Sequence, residues 1–267
     1  MTRRSSSLMR LRAPISRRLY VGASIAFPLV LLIAWWWVTT AGYVRPLFLP
    51  SPQSVVAEGW RQIEEGILWR DASVSIYRIV AGWSAATVLA LPIGILMGNY
   101  RLVEGALEPL VSTIRYMPVV ALIPLSILWA GIGDAQKILI LFIGTFFQQV
   151  LMIMNNTKAV DMTLIRAGQT LGFSNGEILR RIVLPASMPG IWDTFRITIG
   201  WTWTYLVVAE LVAAQDGLGR RIMDAQRYFA TDTIIFGTIF IGLLGFATDY
   251  LFKVGGRKMF GWAETTR

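Results

Sequence analysis

Six stretches of this chain, near residues 20–41, 74–98, 109–130, 136–154, 192–213 and 234–253, run for about the length of a bilayer crossing with few charges. A helical span needs about 20 mainly apolar residues, and a helix satisfies every backbone group within its own segment. This feature points the 267 residues to an all-α membrane protein with about six transmembrane helices. Composition agrees, since 15% of the residues are charged where soluble chains average about 25%. The first run is longer than the roughly 7–15 residues of a secretory h-region. It carries Trp35, Trp36 and Trp37, and no small-residue cleavage site follows, so it reads as an anchor with its tryptophans at a headgroup belt.

Charge sets the orientation. The net charge of +9 reads as an excess of Lys and Arg on cytoplasmic loops rather than as a nucleic-acid surface. With the N-terminus inside, fifteen Lys and Arg fall on inner segments and seven on outer ones; Arg78, Arg115 and Arg196 lie in or at the edges of spans. Both termini are then cytoplasmic, and residues 155–190 face the cytoplasm. The chain divides into a basic tail (1–19), a transmembrane domain (20–254) with an inner loop at 156–190, and a C-terminal tail (255–267). Two outer segments, 51–66 and 217–229, have the pattern of short amphipathic helices.

The chain has no cysteine and no histidine. Thiolate nucleophiles, disulfides, Cys/His zinc sites and Ser-His triads are therefore excluded. A membrane enzyme would need clustered Asp and Glu or a Ser-Lys pair in a span, and neither pattern occurs. Close helix packing is signalled by Gly94 with Gly98 and by Gly82 with Ala86. Pro28, Pro92 and Pro124 fall within spans, where neighbours must satisfy the freed carbonyls.

Between two oily spans stands LGFSNGEILRRIVLPASMP, residues 171–189, polar and basic. Asp161 can cap a helix running to Leu171, and Gly172 supplies a left-handed end. Ser174 and Glu177 have capping-box spacing for a second helix over 174–184, in which Glu177 can pair with Arg181 while Arg180 also turns outward. Pro185 is expected to stop that helix. A helix–turn–helix of fixed shape, basic and partly apolar, reads as a docking surface.

Ala167, Gly172 and the closing Ile182-x-Leu184-Pro185 resemble the "EAA" loop of permease subunits of ATP-binding-cassette importers, with the Gly172-to-Pro185 spacing kept. Arg166 stands where that family has Glu, and Gly168 replaces its second Ala. LPSPQSV (49–55), IRYMP (114–118), IPL (123–125), WAGIG (129–133), AEL (209–211) and GLG (217–219) are similar to the nitrate/sulfonate/taurine/bicarbonate branch. The resemblance implies the type I importer permease fold in a bacterial inner membrane. It also implies a second copy of the chain, two ATPase subunits on the cytoplasmic side and an extracytoplasmic solute-binding protein. Ala167, Leu171, Gly172, Ser174, Glu177, Arg180, Arg181, Leu184 and Pro185 would serve ATPase coupling. The chain lacks G-x-x-x-x-G-K-[ST], so ATP and Mg belong to the partner and no cofactor is expected on this chain.

The implied pathway runs between two copies, lined from the third, fourth and fifth spans. Arg115, beside Met117, has two readings: an anion attractor, or a charge paired with Glu210 or Glu108 or snorkelling to the inner surface. Glu210 is read as a gate or a structural ion pair, and Gln148 and Gln149 as solute ligands or helix–helix bonds. Trp201, Trp203 and Tyr205 cannot share one narrow helical face, so core packing is expected for at least one. An anion is the favoured cargo. The same branch is similar to importers of riboflavin and thiamine-precursor pyrimidines, so a neutral aromatic solute is the alternative. A stand-alone channel or ion-driven carrier would need no projecting helix pair.

Overall fold

In hydrocarbon a backbone N–H or C=O has no water to bond, so an apolar run closes into a helix. The computed structural model describes residues 16–212 and 214–263, and helices dominate it. Most of the basic tail, residues 1–15, and the last four residues lie outside the described residues. Four helices are long and apolar enough to cross a membrane: α1 (Arg17–Thr40), α3 (Ile67–Asn99), α6 (Asp134–Lys158) and α11 (Thr231–Met259). Helix α9 (Leu184–Leu211) has the length at 28 residues, but Asp193, Arg196, Glu210 and a row of threonines lower its apolarity.

The third expected span is broken. Helix α4 (Arg101–Ile114) and the stretch Val119–Ala130, which ends in α5 (Ile123–Ala130), meet at 88°. Pro118 follows Met117 and disfavours helical backbone there. A second, shallower departure precedes α9. Helix α7 (Met162–Thr170) is followed by α8 (Asn175–Ile178), a π-helical turn over Leu179–Val183, and then α9 without interruption. Pro185 therefore does not stop the helix as its residue type predicts. The Leu184 N–H bonds Leu179 O, five residues back, and the widened π turn leaves room for the proline ring.

The centre of the bundle is α3 packed along α6, with α9 packed against α6 and also touching α3. Small residues set the α3–α6 distance: a Cβ on Gly94 would lie 2.8 Å from Ile153 Cβ, and Gly98 abuts Thr157. The α6–α9 seam is held by polar side chains instead. Thr145 meets Thr202 (3.2 Å), Gln149 donates to Thr198 (2.8 Å), and Asn156 donates to Thr194 (2.8 Å) and to Gly190 O (3.0 Å). Thr194, Thr198 and Thr202 recur every four residues, so one face of α9 presents the whole row.

Outside this core, α2 (Pro52–Glu64) starts with the Ser51 hydroxyl accepting from Ser54 N (3.2 Å). Helix α10 (Leu218–Arg227) lies at the same end of the bundle, packed on α9 and α11. None of α1 is buried in the single chain. Its C-terminal end is tied down where Trp35 Nε1 donates to Pro50 O (3.0 Å).

Candidate coupling surface and solute cavity

The 155–190 loop is built from local signals. Asp161 accepts from Thr163 N (2.8 Å) and starts α7. The helix ends with Gly172 at φ +79°, where Gly172 N bonds Gln169 O and Phe173 N bonds Gly168 O, each at 3.0 Å. This is the Schellman arrangement, in which a left-handed residue lets two late carbonyls be satisfied. Ser174 then opens α8 with both halves of a capping box: its hydroxyl accepts from Glu177 N, and its own N–H donates to Glu177 Oε2 (3.0 Å). The backbone N–H and then the hydroxyl of Ser174 hold the Glu177 carboxyl below the usual glutamate range. Asp161 is lowered likewise by the Thr163 backbone and hydroxyl.

The two short helices are packed as one body. Gly168, in place of the family's alanine, is buried against Ile182 and Ile178; an added Cβ would meet Ile178 Cγ1 at 3.3 Å and Ile182 more closely still. Arg181 stacks over the Phe173 ring at 5.4 Å and reaches Glu177 at 3.6 Å. Phe173 is missed by the sequence reading, although its place just past the turn glycine is where an apolar contact is expected. Leu164 and Ala167 on α7, and Leu171 at its C-cap, are all exposed around the buried Gly168. Leu171 is 72% exposed. Arg166, Arg180 and Arg181 are also exposed on this body. Leu184 and Pro185 lie in the first turn of α9, so α8, the π turn and that long helix are one continuous rod.

At the break in the third span lies a cavity of about 550 Å³. Non-helical backbone at membrane depth is tolerated where it lines such a space. Arg115 and Met117 reach it from the bend, Phe147 and Gln148 from α6, and Trp201 and Tyr205 from α9. Arg115 bonds Tyr116 Oη (2.8 Å), lies over that ring at 4.7 Å and makes no ion pair among the described residues. The pairing with Glu210 or Glu108, one of the readings open for it, is not formed among the described residues. Tyr205 lies flat on Gly144, where a Cβ would come within 2.9 Å of the ring. Trp203, by contrast, is buried and donates to Thr248 (3.1 Å), which accounts for the one aromatic expected in the core.

Gln149 and Glu210 lie away from this cavity. Gln149 is fully buried and joins three helices, bonding Thr87 (3.0 Å) as well as Thr198. Glu210 is the centre of a buried polar knot that sequence reading did not assemble. It pairs with Arg78 Nη1 (2.7 Å) and accepts from Ser75 (2.8 Å) and Gly219 N (2.7 Å). Arg78 also bonds Asp134 and Asp216, while Ser75 accepts from Leu218 N. A Cβ at Gly217 or Gly219 would run into Glu210, which explains the GLG string opening α10. The available signal was Arg78 itself, a lone cation inside an apolar run.

A family model described as "Binding-protein-dependent transport system inner membrane component" matches residues 90–261. The chain is 34% identical over 262 residues to the taurine transport system permease protein TauC of Escherichia coli, covering 96% of this chain and 94% of that one. It is 32% identical over 241 residues to the putative aliphatic sulfonates transport permease protein SsuC of Bacillus subtilis, covering 90% and 87%. Its fold is similar to a chain of the inward-facing MetNI methionine ABC transporter, with a TM-score of 0.64 and 19% identity, covering 74% of this chain and 98% of that one. The chain belongs to the family of inner-membrane components of binding-protein-dependent transport systems, as a multi-pass permease subunit of an ABC importer.

Proposed function

We propose that the body formed by α7, α8 and the π turn is the socket for a separate ATPase, and that the cavity at residues 115–118 is part of the route of a small organic anion of the sulfonate class. One observation carries this: the exposed body is covalently continuous, through an unbroken helix, with the α9 residues Trp201 and Tyr205 on the cavity wall. Nucleotide-driven closure of two ATPase subunits beneath two copies of this chain would shift the docked body as a rigid unit, and α9 would carry the shift to the pathway. In this arrangement both termini and the 155–190 loop are cytoplasmic, and a solute-binding protein delivers cargo to the α2 and α10 side. Arg115 supports an anionic cargo, being the one cation among the residues lining the cavity. The names of the sulfonate and taurine relatives support the same class.

The test is uptake by the complex purified with its ATPase and binding protein and placed in proteoliposomes. ATP-dependent accumulation of a labelled alkanesulfonate is expected. Leu171→Glu should leave the subunit inserted while its ATPase no longer co-purifies, because a charge would be buried at the centre of the contact. Co-purification unchanged by that substitution refutes the socket, and uptake of riboflavin in place of sulfonate refutes the cargo class.

A further inference from the structure

A second cavity, about 490 Å³, opens at the end of the bundle that carries the 155–190 loop. It lies between the C-terminal end of α6, the first half of α9, and the last turns of α11 with the 260–263 turn. One side is aromatic and preformed. Trp192 Nε1 donates to Phe252 O (2.8 Å), and its ring contacts Phe252 and Phe260 at centroid distances of 5.2 and 6.1 Å. Gly255 and Gly256 make room for that ring, since a Cβ on either would come within 3.0 Å of the indole. Trp262 closes the rim and is 61% exposed.

The other side is cationic. Arg196 is held loosely by Asp249 (3.3 Å) and Asp193 (3.6 Å), and its Nε–H meets no acceptor in hydrogen-bonding geometry among the described residues. Lys253 and Arg257 are exposed and lie four apart on α11, so both stand on the face that borders the cavity. Lysine and arginine beside indole and phenyl rings, at the end of membrane-spanning helices, form a surface with two requirements. The cations want a phosphate, and the rings want the glycerol and first methylenes attached to it. A free anion satisfies only the first. The volume is far larger than a single ion needs.

We infer that this cavity binds the headgroup of an anionic phospholipid from the leaflet on the loop side, with Lys253 and Arg257 on the phosphate and Trp192 and Trp262 against the glycerol region. The inference uses the membrane-spanning character of α9 and α11 but neither the ATPase socket nor the cargo, so its test is independent of both.

The full chain is purified in mild detergent, incubated with an equimolar mixture of phosphatidylglycerol and phosphatidylcholine, and the retained lipid is weighed by native mass spectrometry. Retention of phosphatidylglycerol at least fivefold above phosphatidylcholine is expected. Lys253→Gln with Arg257→Gln should reduce that ratio to near one. Lys253→Gln alone, at an exposed position, should reduce it at least twofold and carries the test if the double variant does not purify. Arg101→Gln, at the same end of the bundle but outside the cavity, should leave the ratio unchanged. Equal retention of the two lipids overturns the inference, as does an equal effect of Arg101→Gln, which would reveal bulk charge. Displacement of the lipid by millimolar inorganic phosphate overturns it in favour of a soluble-anion site.

Discussion

Arg78 illustrates how one residue type can be costly and indispensable together. Its side chain is 3% exposed and Glu210 is fully buried. A buried pair is poor evidence of net stabilisation, because desolvation offsets much of the attraction. Breaking it is different. Arg78→Met would strand the Glu210 carboxylate and leave Asp216 without the bond that pins the start of α10. Loss of one partner of a buried pair costs about 3–5 kcal/mol, so a clear fall in the thermal midpoint of the purified chain is expected. Arg78→Met combined with Glu210→Gln should recover part of the loss, since the Glu210 carboxylate is then no longer buried without its cation. A double variant as unstable as the single one would mean that Arg78 acts through its other contacts, those to Asp134 and Asp216 included, rather than by pairing with Glu210. Gln149 behaves as a milder version of the same idea: it bonds side chains on α3 and α9 while sitting on α6, where it adds specificity to an otherwise oily seam.

Among the elements, the pair α7 and α8 depends on caps, and caps can be titrated. Glu177 has its carboxyl depressed by the Ser174 N–H and hydroxyl, so the folded form holds the ionised group more firmly than the unfolded chain does. A depressed carboxyl contributes stability that is complete above the unfolded value, about 4.3 for Glu, and is lost as pH falls toward the folded one. The natural chain has no cysteine, so Gly176→Cys gives a single labelling site, at a position where an added Cβ meets nothing. A spin label there should gain mobility as pH drops below the ordinary glutamate range. Glu177→Gln should show raised mobility at neutral pH and little further change. The capping box, the turn glycine and Asp161 are legible in sequence because each acts within four residues. The continuity through Pro185 is not, because it depends on a π turn that no residue type announces. The break at 115–118 is hard to read for a related reason. Pro118 marks a weak point, but the flanking residues are apolar enough for one continuous span, and only the 88° bend and the packing of α5 on α6 show that the chain has folded back.

At the scale of the whole molecule, the proposed coupling depends on stiffness between the exposed body and the cavity wall, a distance covered by α8, the π turn and α9 as far as Trp201 and Tyr205. Residue periodicity reveals the spans, and local spacing reveals the loop, but neither reveals that the two are one rod. Their joint behaviour can be separated from simple docking by a matched pair of variants. Arg180 and Arg181 lie in the π turn and are exposed, whereas Val183 is buried and Ile182 packs on Gly168. Replacing both arginines by alanine removes their charge and keeps a helix-favouring backbone. Replacing both by glycine removes the same charge and adds about 1 kcal/mol of backbone cost per residue. If the arginines only grip the ATPase, both variants should lose the same fraction of co-purified partner and of transport. If the turn is a lever, the two should dock alike, yet the glycine variant should move several-fold less solute per ATP hydrolysed, because the joint bends before α9 moves. Equal transport per ATP in the two variants would place the coupling elsewhere, in contacts that bypass residues 179–183. Measuring uptake and hydrolysis on the same proteoliposomes makes the ratio insensitive to how much complex each variant assembles.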